Sequence, residues 1–134
     1  MTTYLLDSNV MIALASPSHP HKARCKSWYR NIDAFATCPI TEGSFIRTMI
    51  HFGQTVVRTS LLLSYFLGQK IHEFWPDSVS YINADLSRVR GHKQVTDAYL
   101  VALVRAHPGS KLATLDEALA ELYPEDVLLV PEPA

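Results

Sequence analysis

Thr3-Tyr4-Leu5-Leu6-Asp7-Ser8-Asn9 is the stretch that decides the fold. Its apolar run at 4–6 is typical of a strand buried on both faces. The run ends at Asp7, and the apolar residues at 10–14 then indicate a helix. An acid at the carboxyl end of a buried strand lies where open α/β sheets place their ligand crevices. A functional role for Asp7 therefore depends on whether other acids reach the same edge.

Composition limits the protein to a small number of classes. The 134 residues are 48% hydrophobic and 19% charged, which is typical of one globular domain, 1–134. No apolar run approaches the roughly 18 residues that span a bilayer, and no cationic segment precedes the first strand. Cys25 and Cys38 form no disulfide framework. We therefore expect a cytoplasmic protein with two free, buried thiols.

The charges are distributed unevenly although the net charge is only −1. Six acids and no base follow Lys111, which leaves twelve bases against seven acids in the preceding part of the chain. A basic body of this kind is able to contact a polyanion, although on its own the asymmetry carries little weight.

Strands alternate with helices along the whole chain. Predicted strands lie at 4–6, 34–38, 71–75, 111–113 and 127–130. Predicted helices lie at 10–14, 21–31, 42–51, 55–67, 81–89, 97–107 and 117–122. Thr41 and Thr96 are predicted N-caps, and Ala23 is predicted to face the core. This alternation predicts a three-layer α/β fold with a central, mainly parallel five-stranded sheet flanked by helices.

Four acids occupy junctions between predicted elements: Asp7, Glu42, Asp97 and Asp116. Each has a structural explanation, because acids are favoured at helix starts by capping and by the macrodipole. Junctions of a parallel sheet open on one edge, however, so the four carboxylates are able to converge. Carboxylates within ~6 Å repel by roughly 3 kcal/mol per pair at an effective dielectric constant of 20. Such a cluster is tolerated only if protons or cations neutralise it, and among cations all-oxygen ligands select Mg²⁺ or Mn²⁺ over zinc.

Four segments carry a resemblance to a known family. They are LLDSNV at 5–10, PITE at 39–42, GHKQVTDAYL at 91–100 and LATLD at 112–116. In this order and spacing they resemble the motifs of PIN-domain ribonucleases, most of all the VapC toxins of bacterial toxin–antitoxin pairs. The likeness extends over the whole chain. Any one motif is weakly specific, whereas the ordered set is strongly specific.

The resemblance implies a PIN-like fold and a metal-dependent endoribonuclease site. Asp7, Glu42, Asp97 and Asp116 match the family's metal-binding acids, with Mg²⁺ or Mn²⁺ as cofactor. Asn9 and Thr96 match polar positions that orient those acids. It also implies an RNA substrate, a homodimer, and a VapB-type antitoxin that neutralises the enzyme. The expected reaction is hydrolysis of an RNA phosphodiester by a metal-activated water.

Several other residues are candidates for binding roles. Basic side chains near the acids are candidates for RNA contacts, with a solvated surface as the alternative: Arg47, Arg88, Arg90, His92 and Lys93. His19, His21 and Cys25 sketch a soft-metal half-site without a second ligand pair, so surface histidines and a packed thiol are favoured. Trp28 and Trp75 are assigned to packing in preference to base stacking.

The predicted helices at 42–51 and 55–67 are more apolar than one buried face of each requires. We therefore expect a partner, either a second copy of the chain or an antitoxin helix, to cover part of this surface. A well-filled core is the alternative.

Three other functions share some of these features. A non-catalytic PIN-like module that binds RNA or protein would need no acids, and all four are present. A receiver-like phosphoacceptor domain would have adjacent acids early in the chain and a lysine after the last strand. A haloacid dehalogenase-type phosphatase would have a second acid two residues after Asp7, where Asn9 stands.

Overall fold

The sheet is fully parallel and has five strands, as predicted. The computed structural model describes residues 1–133. Its strands are β1 (Thr3–Leu6), β2 (Ala34–Thr37), β3 (His72–Phe74), β4 (Ser110–Thr114) and β5 (Val127–Leu129). They lie in the order β3-β2-β1-β4-β5. In the register, Tyr4 of the central strand pairs with Phe35 on one side and Lys111 on the other.

Six α-helices cover the two faces of this sheet. They are α1 (Ser8–Ala15), α2 (Lys22–Tyr29), α3 (Pro39–His51), α4 (Val56–Leu67), α5 (Val95–Arg105) and α6 (Glu117–Leu122). Successive side chains of a strand point to opposite faces. Leu5 therefore packs in a core with α5 and α6, whereas Leu6 packs in a second core with α1, α3 and α4. The three-layer prediction is confirmed.

The strand order creates one place where the chain reverses its direction of winding. The chain moves outward from β1 to β2 and β3, and then crosses to the other side of β1 to form β4 and β5. In open α/β sheets, a crevice for ligands opens at such a switch point, beyond the carboxyl ends of the strands. Asp7 directly follows β1 and Leu115-Asp116 directly follow β4. The topology therefore places these two acids on either side of the crevice.

Two predicted helix starts are wrong. Helix α3 begins at Pro39, not after Thr41, because proline is preorganised for the first helical position. The Thr41 hydroxyl instead accepts a hydrogen bond from the Cys38 backbone N–H at 3.1 Å. Thr96 is not a cap either: α5 begins at Val95 after a short 3₁₀ turn, His92–Gln94, and Thr96 is its exposed second residue.

The helix predicted at 81–89 is also wrong. Only a 3₁₀ turn, Tyr81–Asn83, forms there. In the following residues the Asp85 carboxylate accepts a hydrogen bond from the Ser87 backbone N–H at 2.9 Å, which offers the backbone an alternative to helix. Arg88 anchors the segment by bonding the Leu122 carbonyl at 3.0 Å and Glu125 at 2.6 Å. Arg88 is thus engaged in a structural contact.

Other predictions made from composition have mixed outcomes. Both cysteines are free and buried, as expected, and burial raises the pKa of the Cys25 thiol to about 11. Within α2 it is Cys25 that faces the core, whereas Ala23 is exposed, so the predicted inward orientation of Ala23 is wrong. In residues 1–133, no helix is both long and apolar enough to cross a bilayer.

Candidate active site

Asp7 is the N-cap of α1 and is held by donors on both carboxylate oxygens. Its Oδ1 accepts a hydrogen bond from the Ser8 backbone N–H at 2.8 Å, and its Oδ2 accepts one from the Thr114 hydroxyl at 2.8 Å. Burial raises the pKa of Asp7, the two hydrogen bonds oppose that rise, and the charge of Asp116 adds to it. The carboxylate is therefore fixed in position but poorly solvated.

Thr114 connects both loops of the crevice and was not predicted from the sequence. It is the last residue of β4 and is fully buried. Besides donating to Asp7, its hydroxyl accepts from the Asn9 side-chain amide and from the Asp116 backbone N–H, each at 3.1 Å. One hydrogen and two lone pairs are the full capacity of a hydroxyl, so Thr114 is saturated. Its position at a strand end beside β1 is the signal that would have found it.

Asn9 ties the loop after β1 to the loop after β4. Its amide donates to Thr114, and its Oδ1 accepts from the Leu115 backbone N–H at 3.1 Å. Asn9 therefore contacts Asp7 only through Thr114. Asp116 closes the same loop as the N-cap of α6, where its Oδ1 accepts from the Leu119 backbone N–H at 3.1 Å. The Asp116 side chain remains exposed at the crevice.

Asp97 is the third carboxylate of the cluster. It lies in the first turn of α5, where the positive end of the helix dipole favours an anion. Burial nevertheless raises the pKa of Asp97 to about 6, and the negative charges of Asp7 and Asp116 contribute to the rise. Asp7, Asp97 and Asp116, called the aspartate cluster below, thus come from three distant parts of the chain, and the charges of Asp7 and Asp116 act on Asp97.

Glu42 is held differently from the aspartate cluster. It lies in the first turn of α3, and its Oε2 accepts a hydrogen bond from the buried Thr37 hydroxyl at 2.7 Å. A bond between Ser44 and Ser8, 3.0 Å long, joins the N-terminal turns of α3 and α1. The raised pKa values of Asp7 and Asp97 have no contribution from Glu42. Glu42 thus lies at a neighbouring helix start and is held by a neutral hydroxyl.

The donor set of the aspartate cluster fits a hard divalent cation. All of its side-chain oxygens belong to carboxylates, which such ions prefer, and the charges of Asp7 and Asp116 add to the rise that burial causes in the pKa of Asp97. In residues 1–133, no three His, Cys, Asp or Glu side chains, the aspartates included, lie close enough together to hold a metal ion by themselves. Mg²⁺ does not need three such side chains, because it usually keeps several waters and binds one or two carboxylates directly. His19, His21 and Cys25 likewise form no group that could hold a metal ion.

Most of the basic candidates for RNA contacts are accessible. Arg90, His92 and Lys93 are exposed in the segment that leads into α5, and therefore towards Asp97. Arg47 is exposed on α3, one turn beyond Gly43, next to which its guanidinium lies. The two tryptophans pack internally: Trp28 contacts the Tyr4 ring at 5.1 Å, and Trp75 stacks on His107 at 3.7 Å.

Comparison with known proteins identifies the family that has this fold and this acid-lined crevice. The family model for the PIN domain matches residues 4–124. Ribonuclease VapC29 of Mycobacterium tuberculosis is 43% identical over 130 residues, covering 96% of this chain and 97% of the relative. Ribonuclease VapC39 of the same organism is 37% identical, covering 89% of this chain and 92% of the relative. The chain therefore belongs to the PIN-domain family and, within it, to the VapC ribonucleases.

A solved structure supports the same fold. The crystal structure of Mycobacterium tuberculosis VapC20, described as a sarcin-ricin loop cleaving toxin, superposes with a TM-score of 0.73. The match covers 96% of this chain and 99% of that one at 13% sequence identity, so the likeness concerns the fold alone. The order β3-β2-β1-β4-β5 also differs from the β2-β1-β3-β4-β5 order of receiver-like domains, which argues against that alternative.

Proposed function

We propose that this protein is the metal-dependent endoribonuclease of a type II toxin–antitoxin pair and hydrolyses RNA phosphodiesters in the cytoplasm. The observation that carries the proposal is the aspartate cluster at the switch point of the sheet. Burial raises the pKa of Asp97 to about 6, and the charges of Asp7 and Asp116, which a cation would neutralise, add to that rise. The relatives named as ribonucleases share the full length of the fold and supply the substrate class.

Asp7, Asp97 and Asp116 would hold Mg²⁺ or Mn²⁺, with Glu42 completing the site. When bound, the ion would neutralise phosphate charge and lower the pKa of a water molecule. The choice of a hard ion follows from the oxygen-only donor set of the aspartate cluster.

The chain's own residues position the substrate and the water. Thr114 and the Ser8 backbone N–H keep Asp7 in one orientation, so little reorganisation is needed when RNA binds. Glu42, fixed through Thr37, accepts a hydrogen bond from the attacking water and orients it. Arg90 and Lys93, together with Arg47 and His92, contact backbone phosphates on either side of the bond to be cut. These contacts hold RNA without reading its sequence.

The decisive experiment compares Asp7→Asn with Asp33→Asn. Asp7→Asn removes one charge from the crevice with little change in shape, so cleavage of a total-RNA substrate with Mg²⁺ should be abolished while the circular dichroism spectrum is unchanged. Asp33 is exposed and precedes β2 at the opposite end of the sheet, so Asp33→Asn should cleave normally. Undiminished cleavage by Asp7→Asn would refute the proposed chemistry. EDTA should stop the wild-type reaction, and added Mg²⁺ or Mn²⁺ should restore it.

The proposal includes protein partners as well as RNA. Large apolar side chains on α4 are exposed, among them Val56 (61%), Val57 (72%), Leu61 (67%) and Tyr65 (70%). Apolar surface of this extent marks a protein interaction site. We expect a homodimer whose remaining apolar surface is covered by a VapB-type antitoxin encoded beside it. Light scattering of the purified chain, alone and co-expressed with the adjacent gene product, measures both interactions.

A further inference from the structure

A buried threonine connects Glu42 to a histidine on the edge of the sheet. The Thr37 hydroxyl donates to Glu42 Oε2 at 2.7 Å, and the same oxygen lies 2.7 Å from His72 Nε2. Thr37 has no solvent exposure, and His72 is half-buried. Both contacts are therefore sheltered from competing water.

The number of hydrogens fixes the direction of this chain of bonds. A threonine hydroxyl has one hydrogen, and an ionised glutamate is only an acceptor. The Thr37 hydrogen therefore points to Glu42, and the hydroxyl oxygen must accept from the ring nitrogen. It follows that His72 Nε2 carries a hydrogen. Hydrogen bonds are therefore donated from His72 to Thr37 and from Thr37 to Glu42.

The sheet holds all three groups in place. Phe35 pairs with His72 across β2 and β3, so the side chains of Phe35, Thr37 and His72 share one face. The fully buried Phe35 ring lies 5.2 Å from the His72 ring and limits its rotation. Thr37 is the last residue of β2 and Glu42 lies in the next helix, so the relay passes from an edge strand to the crevice.

We propose that His72 and Thr37 are positioning residues for Glu42, acting through a donor relay from His72 Nε2–H to Thr37 Oγ1–H to Glu42 Oε2. The relay occupies Oε2 and leaves Oε1 directed to a water or ligand. This inference rests on the proposed function, since Glu42 needs a fixed orientation only if it acts on the substrate water. Neither residue touches the substrate.

The test of activity uses three substitutions of His72 that differ in where they place a donor. His72→Gln carries an amide N–H near the position of Nε2, His72→Asn carries one near Nδ1, and His72→Phe keeps the ring without any donor. With Mg²⁺, we expect His72→Phe and His72→Asn to lose about tenfold in kcat at nearly constant KM for RNA, and His72→Gln to lose less than about threefold. Equal kcat for the Phe and Gln variants, whether high or low, overturns the relay. Thr37→Ser against Thr37→Val repeats the comparison at the middle group.

A second measurement does not depend on catalysis. Long-range ¹H–¹⁵N correlation spectra at pH 8, with the His72 signals assigned by their loss in His72→Gln, report which ring nitrogen carries the hydrogen. A hydrogen on Nε2 is expected, with a change in its shift in Thr37→Val. A hydrogen on Nδ1 alone overturns the relay. If the wild type fails to cut any RNA, the proposed function fails, and this spectrum still decides the relay.

Discussion

Replacing Asp97 by asparagine should stabilise the metal-free protein in a pH-dependent manner. The folded pKa of Asp97 is raised from 3.8 to about 6 by burial and by the charges of Asp7 and Asp116. The folded state therefore binds this proton more tightly than the unfolded state does. The proton on Asp97 therefore stabilises the folded state fully below about pH 4. This stabilisation decreases as the pH rises through 6 and is absent above that value.

The magnitude follows from the same pKa values. The difference between 3.8 and about 6 corresponds to about 3 kcal/mol at 1.36 kcal/mol per pH unit. Asp97 is only half-buried, and solvent screening reduces the effect to roughly 1–1.5 kcal/mol. For a domain of 134 residues this is a rise in Tm of roughly 4 °C at pH 7.5.

Urea denaturation in EDTA at pH 4 and pH 7.5 measures this prediction. Asp97→Asn should exceed the wild type in free energy of unfolding at pH 7.5 and should match it at pH 4, while Asp33→Asn changes neither value. In a titration without EDTA, Mg²⁺ at ten times its dissociation constant should raise the free energy of unfolding of the wild type by about 1.4 kcal/mol. The increase for the Asp97 variant should be smaller. If Asp97→Asn raises the free energy of unfolding equally at both pH values, or does not raise it at pH 7.5, the electrostatic account of the aspartate cluster is refuted.

Three further predictions concern other parts of the molecule. Thr114→Val should lower the free energy of unfolding by about 1–3 kcal/mol, because buried partners lose their bonds, whereas Thr114→Ser should retain most of it in the same urea titration. Arg90→Ala and Lys93→Ala should each weaken RNA binding and reduce its salt slope by about 1 in filter binding at several salt concentrations, with no effect on Tm. The double variant Val57→Glu with Leu61→Glu should abolish self-association in sedimentation velocity without lowering Tm, since both side chains are already exposed.

The sheet and the loops at its carboxyl edge were predictable because apolar runs and terminating polar residues define them. The apolar run at 4–6 followed by Asp7, and LATLD ending at Asp116, each predict a strand, the point where it ends, and an acid in the loop that follows. The segment at 81–89 was not predictable from its periodicity, because the Asp85 side chain competes for the backbone and Arg88 binds residues far along the chain. Long-range ion pairs of this kind leave no local pattern.

The threonines that organise the site were missed for a related reason. In a strand, threonine is an ordinary β-branched residue, so nothing in its immediate neighbours distinguishes Thr37 or Thr114 from a packing residue. Their common property is positional: each ends a strand that pairs with β1, on either side of Asp7. That property becomes visible only when the strand order is known. Once it is known, polar residues at buried strand ends should be examined before any loop residue.

The aspartate cluster and Glu42 are held in different ways, which suits them to different roles. The charge of Asp116 raises the pKa of both Asp7 and Asp97, and the charge of Asp7 also raises the pKa of Asp97, so a bound cation would relieve this repulsion. Glu42 is not among the charges that raise those pKa values, and its Oε2 is held by the neutral hydroxyl of Thr37. An acid that is fixed without being forced to share a counterion is suited to orienting water. The different setting of Glu42 supports the proposed division of roles, in which the aspartates would hold the ion and Glu42 would orient the water.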